Sequence, residues 1–151
     1  LSPDAVEMAL WFHDVIYDVP TAENEKRSAE LFQELAHGRV SESFEGNVFD
    51  MILITTHKDL PQKHDDKLIV DVDLSSFGLP WEECQRDSEN VRNEFAHKSD
   101  KEFYSAHVKF LQSLIERPSF FSSEFFQTQY EDTARSNVRR LIDQATEAGY
   151  A

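Results

Sequence analysis

Apolar residues in this chain return at three- and four-residue intervals, and no stretch of useful length alternates with period two. The series Phe103, His107, Phe110, Leu111, Leu114 draws one stripe along an α-helix, and Cys84, Ser88, Val91, Phe95 draws another. With only four Gly and five Pro in 151 residues, the chain also lacks the turn material of a β-sandwich. The fold class is therefore all-α, a helical bundle of about six to seven helices. Its twelve Phe supply one substantial core.

Capping and breaking residues punctuate the pattern. Ser2 caps a first helix with Pro3 at its first position, running to about Tyr17. Thr21 caps a second that ends near Gly38, and Ser41 or Ser43 a third that ends near His57. Lys58–Asp65 reads as a polar loop around Pro61, followed by a shorter helix from Asp66 to about Phe77 that stops at Gly78. Pro80 starts a helix to about Lys98, and Asp100 caps one that ends before Pro118. Ser122 or Ser123 opens the last, which runs to about Ala148 and closes at Gly149. No repeat or linker interrupts the chain, so a single domain over 1–151 is expected.

Charge narrows the partners. Fifteen Lys+Arg against 29 Asp+Glu leave a net charge of −14, which repels a nucleic-acid backbone and an anionic membrane surface alike. A small phosphorylated ligand is compatible if a local cation outweighs that field. The apolar runs, such as Met51–Ile54, are too short to span a bilayer, and one cysteine, Cys84, forms no internal disulfide. A cytoplasmic setting follows as the default. Oligomeric state is open, a homodimer included.

The informative residues are ionisable ones that share a helix face with the core. Val6, Ala9, Leu10, His13 and Ile16/Tyr17 form one stripe, and Asp14 follows His13 inside the apolar run Trp11-Phe12-His13-Asp14-Val15-Ile16. A buried carboxylate without a partner costs several kcal/mol, and no Lys or Arg is near in sequence, so a divalent cation is one candidate for the missing charge. His57 shares a face with Phe49, Leu53 and Thr56. Asp73 shares one with Ile69, Val72 and Ser76, while Asp71 falls on another side; Glu25 aligns with Ala29, Phe32 and Ala36. His and carboxylate groups converging from several helices suit Mn²⁺, Fe²⁺, Co²⁺, Ni²⁺, Zn²⁺ or Mg²⁺.

Blander readings compete. An inward His is more often a core histidine bonded to backbone, the reading for His97 and His107, and His64 reads as a solvated loop residue. An ion pair or a cap explains Glu25 as well as a site role does. The Phe120-Phe121 and Phe125-Phe126 pairs are core or interface material. For His13-Asp14 alone, metal and structure stand even; Asp73 at the right interval tips the balance to metal.

The run Ala9-Leu10-Trp11-Phe12-His13-Asp14-Val15-Ile16-Tyr17-Asp18, followed by Asn24-Glu25-Lys26-Arg27-Ser28-Ala29, resembles the HD-domain superfamily of metal-dependent phosphohydrolases. Further matching pieces are Thr55-Thr56-His57, Asp71-Val72-Asp73-Leu74-Ser75-Ser76-Phe77-Gly78, Val91-Arg92-Asn93-Glu94-Phe95 and Ala134-Arg135-Ser136-Asn137. The resemblance implies an all-α domain that holds one or two metals by an upstream His, the His-Asp pair and a distant Asp. It maps the pair onto His13 and Asp14 and the distant ligand onto Asp73, with Asp71 second. The upstream His has no counterpart among the twelve residues before His13. Either a segment carrying it precedes Leu1, which is the expectation, or the ligand has been lost.

The implied activity is hydrolysis of a small phosphate ester or nucleotide by a metal-activated water. Glu25 is the candidate to orient or deprotonate that water or to support a ligand. His57 is the candidate for a second metal or the phosphoryl group, and Lys58 and Arg92 for the substrate's charge. Arg92 can equally pair with an acid on a neighbouring helix. Two rivals stand beside the enzyme: a non-catalytic metal-binding regulatory or scaffolding module, and a structural helical protein whose His-Asp pair is a buried hydrogen bond.

Overall fold

The computed structural model describes residues 2–18 and 23–150. Among them it is all-α, with seven α-helices and one 3₁₀ turn. Packing divides the chain into two compact units, Leu1–Asp73 and Leu74–Ala151. Their boundary falls directly after a helix and involves no linker, so no shift of composition marks it.

The first unit holds α1 (Pro3–Phe12), α2 (Asn24–Ala36), α3 (Glu42–Ile54) and α4 (His64–Asp73). Pro3 takes the first position of α1, where its missing N–H costs nothing, and the Ser2 backbone N–H donates instead to Asp65 Oδ2 at 2.9 Å. Ser41 caps α3 by accepting from the Phe44 N–H. The expected cap Thr21 lies outside the described residues. Helices α1, α2 and α4 all pack on α3. Helix α1 buries Ala5, Val6 and Ala9 and α3 buries Val48, Met51 and Ile52 in a core that also includes Ala29, Phe32, Ile69 and Val70. Phe12 packs edge-on against Phe32 at 5.2 Å, which seats the end of α1 on α2.

The second unit begins with the 3₁₀ turn Ser75–Gly78 and continues with α5 (Trp81–Glu94), α6 (Asp100–Ile115) and α7 (Glu124–Glu147). Ser99 and Glu102 form a reciprocal capping box at the start of α6, one residue ahead of the expected cap. Gly78 lies so close to α7 that a Cβ there would sit 2.7 Å from the Tyr130 Cβ, which explains a glycine at the turn. Phe120 and Phe121 are fully buried, whereas Phe125 is 63% exposed.

Candidate metal centre

Three helix ends build the site within the first unit. Helix α1 stops at Phe12, five residues short of the expected Tyr17, and His13 is its C-cap. The His13 Nδ1–H donates to the Leu10 carbonyl at 2.8 Å, which settles one of the four carbonyls a helix end leaves unpaired and aims Nε2 outward. That Nε2 lies 3.3 Å from Asp14 Oδ2 and 3.3 Å from Asp73 Oδ1. Asp73 closes α4, and its other oxygen, Oδ2, accepts from His57 Nε2 at 2.8 Å.

His57 reaches Asp73 from the end of α3. That helix ends at Ile54, and the Thr55 and Thr56 hydroxyls donate to the Ile52 and Leu53 carbonyls, consuming orphan acceptors of its last turn. The chain then turns through His57 at φ 56°, the one positive φ of a non-glycine residue among those described. A left-handed histidine costs roughly 1–2 kcal/mol, and its side chain, 10% exposed, is thereby carried to Asp73.

The electrostatics follow from this convergence. Each helix C-terminus carries about half a negative charge, and no basic residue stands in the last turn of α1, α3 or α4. Two carboxylates added there require a positive charge. With no ion present, the two carboxylates favour the protonated imidazolium of His13. Asp14 first, then Asp73, raise the His13 pKa to about 10 against the opposing effect of burial. Burial works to raise Asp73, but the hydrogen bonds from His13 and His57 prevail and lower it to about 2.

Two expectations are corrected. Asp14 is not sealed in an apolar run: its side chain is 53% exposed, Trp11 faces solvent from the last turn of α1, and Val15 and Tyr17 do so beyond its end. The more deeply buried acid of α4 is Asp71, fully buried, rather than Asp73, which is 23% exposed. Asp71 and Asp73 therefore both face inward, to different depths, and the helix-face argument that separated them fails.

Other candidates are placed as follows. Glu25 is half-buried in the first turn of α2, and no hydrogen bond or ion pair joins it to the cluster among the described residues. Lys58 is exposed directly after His57 and enters no ion pair among the described residues. Arg92 belongs to the second unit and takes the structural role. It donates to Asp100 Oδ1 at 2.6 and 3.0 Å and to the carbonyls of Phe95 and Lys98, binding the end of α5 to the start of α6. Arg135 and Asn137 act alike. Arg135 donates to the carbonyls of Ile115, Arg117 and Pro118, and Asn137 to those of Phe77 and Leu79.

The chain matches no protein-family model, no curated protein and no solved structure. The chemistry of the donor set must speak for itself. A histidine whose second nitrogen is fixed on a carbonyl is the usual posture of a metal-ligating imidazole. An ion about 2.0–2.2 Å from N and O donors in a tetrahedral shell holds them roughly 3.3–3.6 Å apart, near the spacing of His13 from each carboxylate. The residues fit a divalent cation in identity and orientation. They also pair with one another across His13, and among the described residues no three such side chains are arranged to hold an ion at once. Taking one up therefore requires the His13 imidazolium to lose its proton. No helix among the described residues is long and apolar enough to cross a membrane.

Proposed function

We propose that this chain is a metal-dependent phosphohydrolase of the HD type, acting on a small phosphate ester or nucleotide. One observation carries the reading: His13, anchored through Nδ1 on the Leu10 carbonyl, presents Nε2 between Asp14 and Asp73. His13, Asp14 and Asp73 would hold the divalent ion, which when bound supplies a water of lowered pKa and a Lewis acid for a phosphoryl oxygen.

The remaining roles belong to the chain's own groups. Leu10 fixes the His13 tautomer, so that its proton is lost from Nε2 and the lone pair is aimed. His57 holds Asp73 in one orientation from its other oxygen. Lys58, exposed beside His57, is a cation for the substrate's phosphate, and Glu25 is a base or supporting acceptor. The net charge of −14 selects small substrates over nucleic acid. A free Cys84 accords with a cytoplasmic setting.

The test is hydrolysis of p-nitrophenyl phosphate and nucleoside monophosphates with added Mn²⁺, Co²⁺ or Ni²⁺, comparing wild type with Asp14→Asn. The expected outcome is turnover that chelator and the substitution both abolish. Metal binding without turnover points instead to the regulatory or scaffolding module. Neither binding nor turnover leaves a structural ion-pair cluster, which the closed His13 contacts favour as second reading.

A further inference from the structure

We infer that the second unit carries a binding site for a small organic cation, an arylalkylamine in its ammonium form, in the cleft between α5, α6 and α7. The cleft encloses about 260 Å³ and shares no residue with the His13 cluster. Spaces between the helices of small all-α units are common ligand sites. Its floor is apolar, with Leu141 and Ala145 buried. Its wall is aromatic, where Tyr104 and Tyr150 stack at 5.0 Å with their planes 12° apart.

The charge lining the cleft has one sign. Glu89 and Asp100 contribute carboxylates, and no Lys or Arg lines it. Arg92 and the Tyr150 hydroxyl occupy Asp100. Glu89 accepts only the Gln85 amide, at 3.0 Å, and no cation pairs with it among the described residues. An anion is repelled from such a surface, whereas an ammonium is attracted by the carboxylates and by the electron-rich tyrosine rings beside them.

His107 sharpens the class of ligand. Its ring stacks on Phe103 at 5.1 Å and lines the cleft, yet Nε2 is sealed from solvent with no hydrogen-bond partner among the described residues. Burial lowers its pKa, so the imidazole stays neutral and does not repel a cation. A buried polar nitrogen without a partner is rare in native structures. In the proposed complex the ring turns about its broad χ2 to bring that nitrogen to an N–H donated from the cleft.

The experiment titrates the full chain by calorimetry at low ionic strength with three indoles of one shape: tryptamine, uncharged tryptophol and indole-3-acetate. Tryptamine is expected to bind saturably at one site, about tenfold more tightly than tryptophol, with no saturation by indole-3-acetate. His107→Phe keeps the ring stack and should weaken tryptamine about fivefold. Glu89→Gln, at an exposed position of α5, should weaken it about threefold. Equal affinity for the three indoles, no saturable tryptamine binding, or unchanged affinity in either variant overturns the proposal.

Discussion

His57 Nε2 lies 2.8 Å from Asp73 Oδ2, and His57 adopts a left-handed backbone conformation, φ 56°, to place it there. A glycine would make the same turn without strain. The position is thus occupied for its side chain at the expense of its backbone. Replacement by Ala removes the hydrogen bond and keeps the strain, while replacement by Gly removes both. His57→Gly is expected to be more stable than His57→Ala by about 1 kcal/mol, and both less stable than wild type, in urea unfolding with chelator present. Equal stability of the two variants contradicts the strain argument.

The titration of the cluster predicts how the metal-free protein responds to pH. The His13 pKa rises from about 6.5 to about 10 on folding, so between those values the native state binds more protons than the unfolded chain. Its contribution is complete below about pH 6.5 and is lost as pH rises through about 10. Asp73 runs oppositely: lowered from 3.8 to about 2, it contributes above 3.8 and ceases to as pH falls toward 2. Urea midpoints in chelator should fall across the alkaline window, and Asp14→Asn should flatten that fall, since Asp14 is the largest cause of the His13 shift. An alkaline limb identical in the variant contradicts it.

Arg92 separates scaffold from chemistry. Its guanidinium bonds Asp100 and two backbone carbonyls and lies over the Phe103 ring at 5.1 Å. Arg92→Gln is expected to cost roughly 1–3 kcal/mol in thermal unfolding and to leave KM for a phosphate ester unchanged in the folded fraction. Arg92→Lys should recover little, because an ammonium cannot span the same acceptors. A raised KM with unaltered stability reverses the assignment.

The helices were legible because each must bury one apolar stripe, and three- and four-residue spacing is visible in any sequence. Their ends were less so. Helix α1 ends at Phe12 although the apolar spacing continues to Tyr17, since the residues beyond it turn away and bring His13 to Asp73. The left-handed turn at His57 was hidden because a non-glycine residue carries no mark of positive φ. Asp71 and Asp73, two positions apart, both face inward, so helical periodicity alone cannot choose between them. Arg92 reads as a substrate contact or as an ion-pair partner equally well, until its bonds to Asp100 and the Phe95 and Lys98 carbonyls show it to be a staple. The convergence of His13, Asp14 and Asp73 was legible as charge without a nearby partner in sequence. The pairing of His13 with both carboxylates that closes the cluster was not, because it depends on distances between helices.

Calorimetric titration of Mn²⁺ into the chelator-treated protein, repeated in two buffers of different ionisation enthalpy, tests the central claim most directly. If His13, Asp14 and Asp73 hold a divalent ion, wild type binds one at this site near pH 7.5 and releases about one proton from His13 as it does so. Asp14→Asn and Asp73→Asn should each weaken that binding by an order of magnitude or more. No binding, binding without proton release, or binding indifferent to both substitutions would show that the cluster is an ion pair complete in itself.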